Sequence, residues 1–212
     1  SDVITPNAEM SKLVQDIRAP HEAELRRELA TTESTLFRRG NFNGTFDDLI
    51  CDALLEERDA QIALSPGFRW GASLLPGQAI TVEDVHNMTS ITYPAAYRSS
   101  MTGSTLKEVL EDVADNLFNT DPYYQQGGDM VRVGGLGYTI DPNGSVGNRI
   151  TNMQLLETGA PIDASKEYTV AGWASVNEGT EGPAIWDVVT NYLEKKDSVN
   201  ITPRDHVKVV GA

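Results

Sequence analysis

Residues 60–71 read AQIALSPGFRWG. Ile62, Ala63 and Leu64 form a short apolar run, and Pro66 with Gly67 closes it with turn chemistry, which predicts a short buried strand ending in a tight turn. The glycines at 67 and 71 permit backbone shapes closed to other residues. Loops at strand ends are where α/β proteins place ligand contacts. Arg69, between Phe68 and Trp70, is a lone cation in this turn. It is either stacked and salt-bridged to hold the turn, or held facing an anion. A guanidinium fork suits phosphate, sulfate or sulfonate, and flanking aromatics exclude water and strengthen the contact.

Outward from the turn, helices and strands interleave. Upstream, NAEMSKLVQDIRAPHEAELRRELATTES reads as helix interrupted at Pro20, with Met10, Leu13, Val14 and Ile17 on one stripe. In NFNGTFDDLICDALLEERD, Thr45 and Asp48 have the spacing of a capping box ahead of a core helix. Thr81 with Asp84 repeats that spacing before a shorter helix. Leu106, Val109, Leu110, Val113 and Leu117 give residues 102–118 the helical period. Strands are predicted in SITYPAAYRSSMTG, in the run after the glycine-rich loop at 127–135, twice around the turn at Thr158-Gly159, after Lys166, and in HVKVVGA. The pattern predicts a mixed α/β (α+β) domain over residues 35–212, with mixed sheets packed against helices, and a helical connector over 1–34.

Composition excludes several classes of function. Among 212 residues, 31 acids against 17 bases give a net charge of −14, a field that repels a nucleic-acid backbone. The pairs Arg26-Arg27 and Arg38-Arg39 do not make a basic patch. No apolar run reaches the ~20 residues that span a bilayer, and no basic-then-apolar leader stands at the start. Nucleic-acid and membrane partners are therefore not expected. The single Cys51 lies in an apolar stretch, as a buried small side chain would. His21, His86 and His206 show no ligand spacing, so no metal site is expected within the chain.

Two further segments depart from ordinary core sequence. PYYQQGGDMVRVGG (122–135) is either a glycine-rich turn into a strand or a binding loop. In the second case Tyr123 and Tyr124 supply rings, and the amides of Gly127 and Gly128 meet an anion. AGWASVNEGTEGP (171–183) leads into a helix, whose amino end favours anions, although Glu178 and Glu181 oppose one. Nothing assembles a serine triad, a P-loop or a paired-carboxylate site.

RRGNFNGTFDDLICDAL, IALSPGFRWG, LPGQAITVEDV, MTGSTLKEVLEDVADNLF and DPYYQQGGDMVRVGGLGY, in this order, resemble the carboxy-terminal domain of the 5′-nucleotidase family. Within it they are most similar to the SoxB branch, the thiosulfohydrolases of bacterial sulfur oxidation, where SPGFRWG replaces an NGGGIR-like turn. The resemblance implies an amino-terminal metallophosphoesterase domain carrying two manganese ions, over which this domain closes. It implies a periplasmic location and, as partner and substrate, the SoxYZ carrier arm bearing a sulfonate on a cysteine persulfide. Arg69 then faces the sulfonate, with Phe68, Trp70, Tyr93, Tyr123 and Tyr124 along the arm's channel. A nucleotidase reading would place a base between Tyr93 and the residue at Val176, where the family has a second ring, and Glu181 replaces the family aspartate. A non-catalytic module that holds a protein arm is the third alternative. The chain by itself is expected to hold no metal and to hydrolyse nothing.

Overall fold

The strand predicted at 62–64 is the centre of the molecule. In the computed structural model, which describes residues 4–68, 70–177 and 179–211, β2 (Ile62–Ser65) is buried at every position. It lies between β8 (Glu167–Gly172), parallel to it, and β5 (Arg132–Gly134), antiparallel to it. With β4 (Tyr97–Thr102) antiparallel to the far side of β8, these strands form a mixed sheet of order β4-β8-β2-β5. Its two faces open onto different cores. Ala63 and Ala171 face α3 (Thr45–Glu57), α4 (Val82–Thr89) and α6 (Ile185–Glu194). Ile62, Leu64, Tyr168 and Val170 face α5 (Gly103–Phe118) and the strands β6 (Leu136–Ile140) and β7 (Ile150–Leu155). A strand walled on both sides has no use for a polar alternation, which is why its sequence is a plain apolar run.

Two smaller mixed sheets flank the central one. One is β3 (Ala79–Thr81), β1 (Glu28–Thr32) and β9 (Ser198–Val199); the other is β10 (Val207–Val209), β6 and β7. Each combines parallel and antiparallel pairing, as predicted.

The local readings hold where side chains decide them. Thr81 and Asp84 form the reciprocal capping box at α4, and α5 spans Gly103–Phe118 with Leu106 and Leu110 buried. Three readings change. Helix ends at α2 (Glu22–Leu25) after α1 (Ala8–Arg18), and Glu28–Thr32 is a strand, because β3 and β9 offer it hydrogen bonds on both edges. Thr45 does not cap α3: Gly44 takes that position, and Thr45 Oγ1 instead donates to Thr35 O at 2.6 Å and accepts from Phe37 N at 3.1 Å. The strand expected after Gly159 shrinks to one bridge between Gln154 and Pro161. The apolar stripe of α1 is exposed, and Arg18 ties the helix down through two bonds to Glu83, at 2.7 and 2.8 Å.

Helix α3 carries two buried acids. Asp48 keeps one oxygen without a hydrogen-bond partner, and burial pushes its carboxyl up to about 7 against the pull of Arg204. Arg204 itself is committed to Asp52, at 2.8 and 2.5 Å. Folding therefore favours the protonated form of Asp48. Its stabilising contribution is complete below the unfolded value of about 4 and is lost as pH rises through about 7. The neutral mimic Asp48→Asn is expected to be more stable than the parent at pH 8 by roughly 2–4 kcal/mol, with the gap at least halved by pH 5 and closed only below about pH 4. Denaturant titrations at the two pH values measure this, and a gap independent of pH contradicts it.

Candidate functional site

The turn after β2 approaches the rest of the chain too closely for most residues. A Cβ on Gly67 would stand 2.4 Å from the Met130 carbonyl oxygen, and one on Gly71, at φ +96°, would stand 2.3 Å from Met88 Sδ. Glycine is required at Gly67 by contact with backbone and at Gly71 by conformation. What holds the turn is a residue that the sequence shows only as half of a basic pair. Arg38 is 1% exposed. Its Nε donates to Asp47 Oδ1 at 2.7 Å, one terminal nitrogen to Met88 O at 2.7 Å, and the other to Pro66 O at 2.8 Å. One guanidinium thus joins the first turn of α3, the carboxyl end of α4 and the first residue of the turn. Its carbon also lies 5.6 Å from the ring centres of Phe68 and Trp70, and 5.8 Å from that of Trp173. Cation–ring attraction is strongest where water is excluded, as here.

Asp47 faces a second buried arginine. Arg132, on β5, stands 3.4 Å from Asp47 Oδ2 and 3.3 Å from Asp129 Oδ2, and donates to Gly40 O at 2.7 Å. Burial pushes the Asp47 carboxyl upward, and the two arginines pull it back. Asp129 sits in the glycine-rich loop, so the Arg38–Asp47–Arg132–Asp129 series connects the turn at 66–71 with the loop at 127–129.

These segments converge on a cavity of about 740 Å³. Its lining includes Pro66, Gly67 and Phe68 from the turn, Gly127, Gly128 and Asp129 from the glycine-rich loop, and the run Trp173–Asn177 after β8. Val109, Asp112 and Val113 of α5, with Tyr97 at the start of β4, complete the wall. Trp173 is fixed by its indole N–H, which donates to the buried Ser65 Oγ at 2.8 Å. Ala174, next in line, adopts φ +61°, a conformation costly for a residue with a Cβ and one that clusters at functional sites. Burial raises the Tyr97 phenol, so its hydroxyl stays a neutral donor. A cavity of similar size, about 760 Å³, lies against β6, β7 and β10, but the segments singled out from sequence do not meet there.

Of the predicted site residues, Phe68, Gly127 and Gly128 line the cavity, while Arg69 lies outside the described residues, as does Glu178. Trp70 stacks on Phe68 at 3.9 Å and 21° without being among the lining residues. Tyr93, Tyr123 and Tyr124 are exposed and are not among the described lining residues; the last two form a pair on the short 3-10 turn Pro122–Tyr124. Sequence reasoning missed Tyr97 and Trp173, which carry no motif, and Arg38. Cys51 is fully buried with its thiol pushed well up, and takes no part. Among the described lining residues there is no histidine, cysteine or lysine. Amides, hydroxyls and an Asn side chain can bind and orient an anion there.

The 5′-nucleotidase C-terminal domain model matches residues 25–190. Comparison with curated protein sequences returns no match. Among solved structures, the chain is similar to Thermus thermophilus sulfate thiohydrolase SoxB, at 35% identity and a TM-score of 0.89, over 98% of this chain and 40% of that one. A 5′-nucleotidase precursor from Thermus thermophilus (19%, TM-score 0.75, 98% and 44% covered) shares the fold, as does the Haemophilus influenzae NAD nucleotidase (18%, 0.69, 96% and 41%). The chain spans about two-fifths of the length of these proteins.

Breaking the buried pair tests whether Arg38 organises the site. Arg38→Met leaves Asp47 without its closest cation and is expected to cost about 3–5 kcal/mol, with a change in tryptophan emission from Trp70 and Trp173. Arg38→Lys recovers only part, since one ammonium cannot reach three acceptors in a fork. Chemical denaturation followed by fluorescence decides it, and a loss below about 1 kcal/mol for Arg38→Met contradicts the assignment.

Proposed function

The chain belongs to the 5′-nucleotidase C-terminal domain family, and from that premise we propose that it is the substrate-contact and capping domain of a SoxB-type thiosulfohydrolase. In this reading the full hydrolase removes sulfonate from a cysteine persulfide on the SoxYZ carrier arm, releases sulfate, and works in the periplasm. Water oxygen bonds the sulfonate sulfur, the sulfur–sulfur bond breaks, and its electron pair remains on the carrier.

The arrangement of rings in the cavity carries the choice of substrate class. A nucleobase needs two parallel rings with a gap between them. Here Phe68 gives one face to Trp70 and meets Trp173 edge-on at 6.1 Å and 80°, while the rim position that would supply a second ring holds Val176. A sulfonate asks for donors around three oxygens and for no stacking slot. The amides of Gly127 and Gly128, the Ser175 hydroxyl, Asn177 and the neutral Tyr97 hydroxyl surround such a space. Arg69, next in the chain after Phe68, supplies the compensating charge as water attacks. The SoxB likeness, 35% over nearly the whole chain, supports the same choice.

The two manganese ions belong, in this reading, to an amino-terminal metallophosphoesterase domain of the same polypeptide. Among the described residues, no three His, Cys, Asp or Glu side chains are grouped to hold a metal. The part assigned to this chain is to bind the sulfonate, orient it and exclude water other than the attacking one.

With the full-length polypeptide loaded with manganese, sulfate release from a carrier-bound S-sulfonate is expected, without AMP hydrolysis. Arg69→Ala is expected to lower kcat/KM by about 100-fold or more, the usual cost of losing a charge-stabilising donor. AMP turnover without sulfate release would return the domain to the nucleotidases, and binding of the arm without turnover of either would make it a holding module.

A further inference from the structure

The central sheet has one unfinished edge. On β4, Tyr97, Ser99 and Met101 lie opposite Gly172, Val170 and Tyr168 of β8, in unbroken antiparallel register. Gly103 N donates to Lys166 O at 3.0 Å, which fixes the alternation: the odd-numbered residues of β4 bond to β8, and the backbone groups of Arg98 and Ser100 point away from it. The neighbouring even position confirms that direction, because Ala96 N donates outward to Pro183 O at 2.8 Å. The segment around Pro183 and Ile185 thus covers the edge at 94–96, and the cover stops where β4 begins. Among the described residues no other strand pairs with β4. Folded proteins blunt such edges with proline, bulges or inward charges. Residues 97–102 contain no proline and no register shift, and the one charged side chain, Arg98, is turned back onto the carbonyls of Arg58 and Asp59.

A groove of about 410 Å³ begins at this edge, between Arg98, Ser99 and Met101 on one side and Gly179, Thr180 and Glu181 on the other. It is continuous with the candidate site, since Tyr97, Ser175 and Asn177 line both the groove and the 740 Å³ cavity. Tyr97 stands at the junction. Its hydroxyl lies so close to the Gly172 backbone that a Cβ there would be 2.3 Å away, so the neighbouring strand is cut to fit it.

We propose that an extended peptide binds along the free edge of β4 as an added strand, and that this strand leads its terminal group past Tyr97 into the cavity. The occupant is the substrate-bearing segment of the partner protein, which rests on the function proposed above. Main-chain bonds at Arg98 and Ser100 provide affinity with little dependence on sequence, as in other cases of strand addition.

The test uses the full-length polypeptide and a capped, neutral eight-residue peptide of alternating threonine and valine. Without peptide, the amides of Arg98 and Ser100 are expected to exchange freely with solvent; at saturating peptide both become protected. N-methylating the peptide at alternate positions is expected to weaken Kd about tenfold or more for one parity and to leave the other within about twofold, because only one set of amides faces β4. Ser100→Pro, which removes an outward N–H that β8 does not use, is expected to weaken the unmethylated peptide to a similar degree. Absence of protection, equal loss for both parities, or amides already protected by the rest of the polypeptide overturns the proposal. A second arm attaches S-sulfocysteine to the same peptide and predicts a KM at least about tenfold below that of free S-sulfocysteine. Protection of the edge without sulfate release keeps the groove and removes the assigned function; equal KM values for the two substrates do the reverse.

Discussion

The guanidinium of Arg38 lies in the interior with Asp47 against its Nε and two main-chain carbonyls against its terminal nitrogens. A buried charge with each of its three nitrogens engaged is a demanding arrangement. Each partner has to be in place, because an unpaired member costs several kcal/mol. The arrangement therefore works as a specification. It fixes where α3 starts, where α4 ends and how the chain turns after β2, three features far apart in sequence. Asp47 passes the constraint on to Arg132, and Arg132 passes it to Asp129 in the glycine-rich loop. The cavity is the space left between segments held in this way, and Phe68 and Trp173 in its wall lie against the same charge, with Trp173 also held by Ser65.

The rest of the architecture serves that space. Two cores, one on each face of the central sheet, make β2 and β8 rigid enough to carry loops at their ends. The turn at 66–71 and the run at 173–177 leave adjacent parallel strands on the same side, so they must meet. The candidate site then lies where α/β sheets ordinarily place ligands, at the carboxyl ends of parallel strands. The likeness to SoxB extends over nearly all of the chain, whereas the nucleotidases share the fold at under 20% identity. In the cavity wall Phe68 and Trp173 meet edge to face.

Much of this was legible in the sequence. The apolar run at 62–64 and the heptad-like spacing in α5 are local signals, and they located the central strand and its covering helix. The three segments that meet at the cavity were recognisable because glycine and proline clusters next to buried strands mark loops with special geometry. What escaped is non-local. Arg38 stood out only as half of a basic pair because nothing in its neighbourhood announces burial; its partners are Asp47, Met88 and Pro66, the last two many residues away. Thr45 looked like a cap because a capping pattern is a statement about spacing, and it was outcompeted by hydrogen bonds to residues 35 and 37. Glu28–Thr32 became a strand through pairing with β3 and β9, which no window of neighbouring residues contains. Tyr93, Tyr123 and Tyr124 are exposed on this domain, and a loop pattern alone does not say which way such a ring points.

The central claim is that the turn, the glycine-rich loop and the segment after β8 form one oxyanion site. Its most direct test is a crystal structure of the full-length polypeptide with a bound S-sulfonate. The account predicts density for the sulfonate between Phe68, the Gly127–Gly128 amides and Ser175. Density instead in the cavity of similar volume beside β6, β7 and β10 would contradict it.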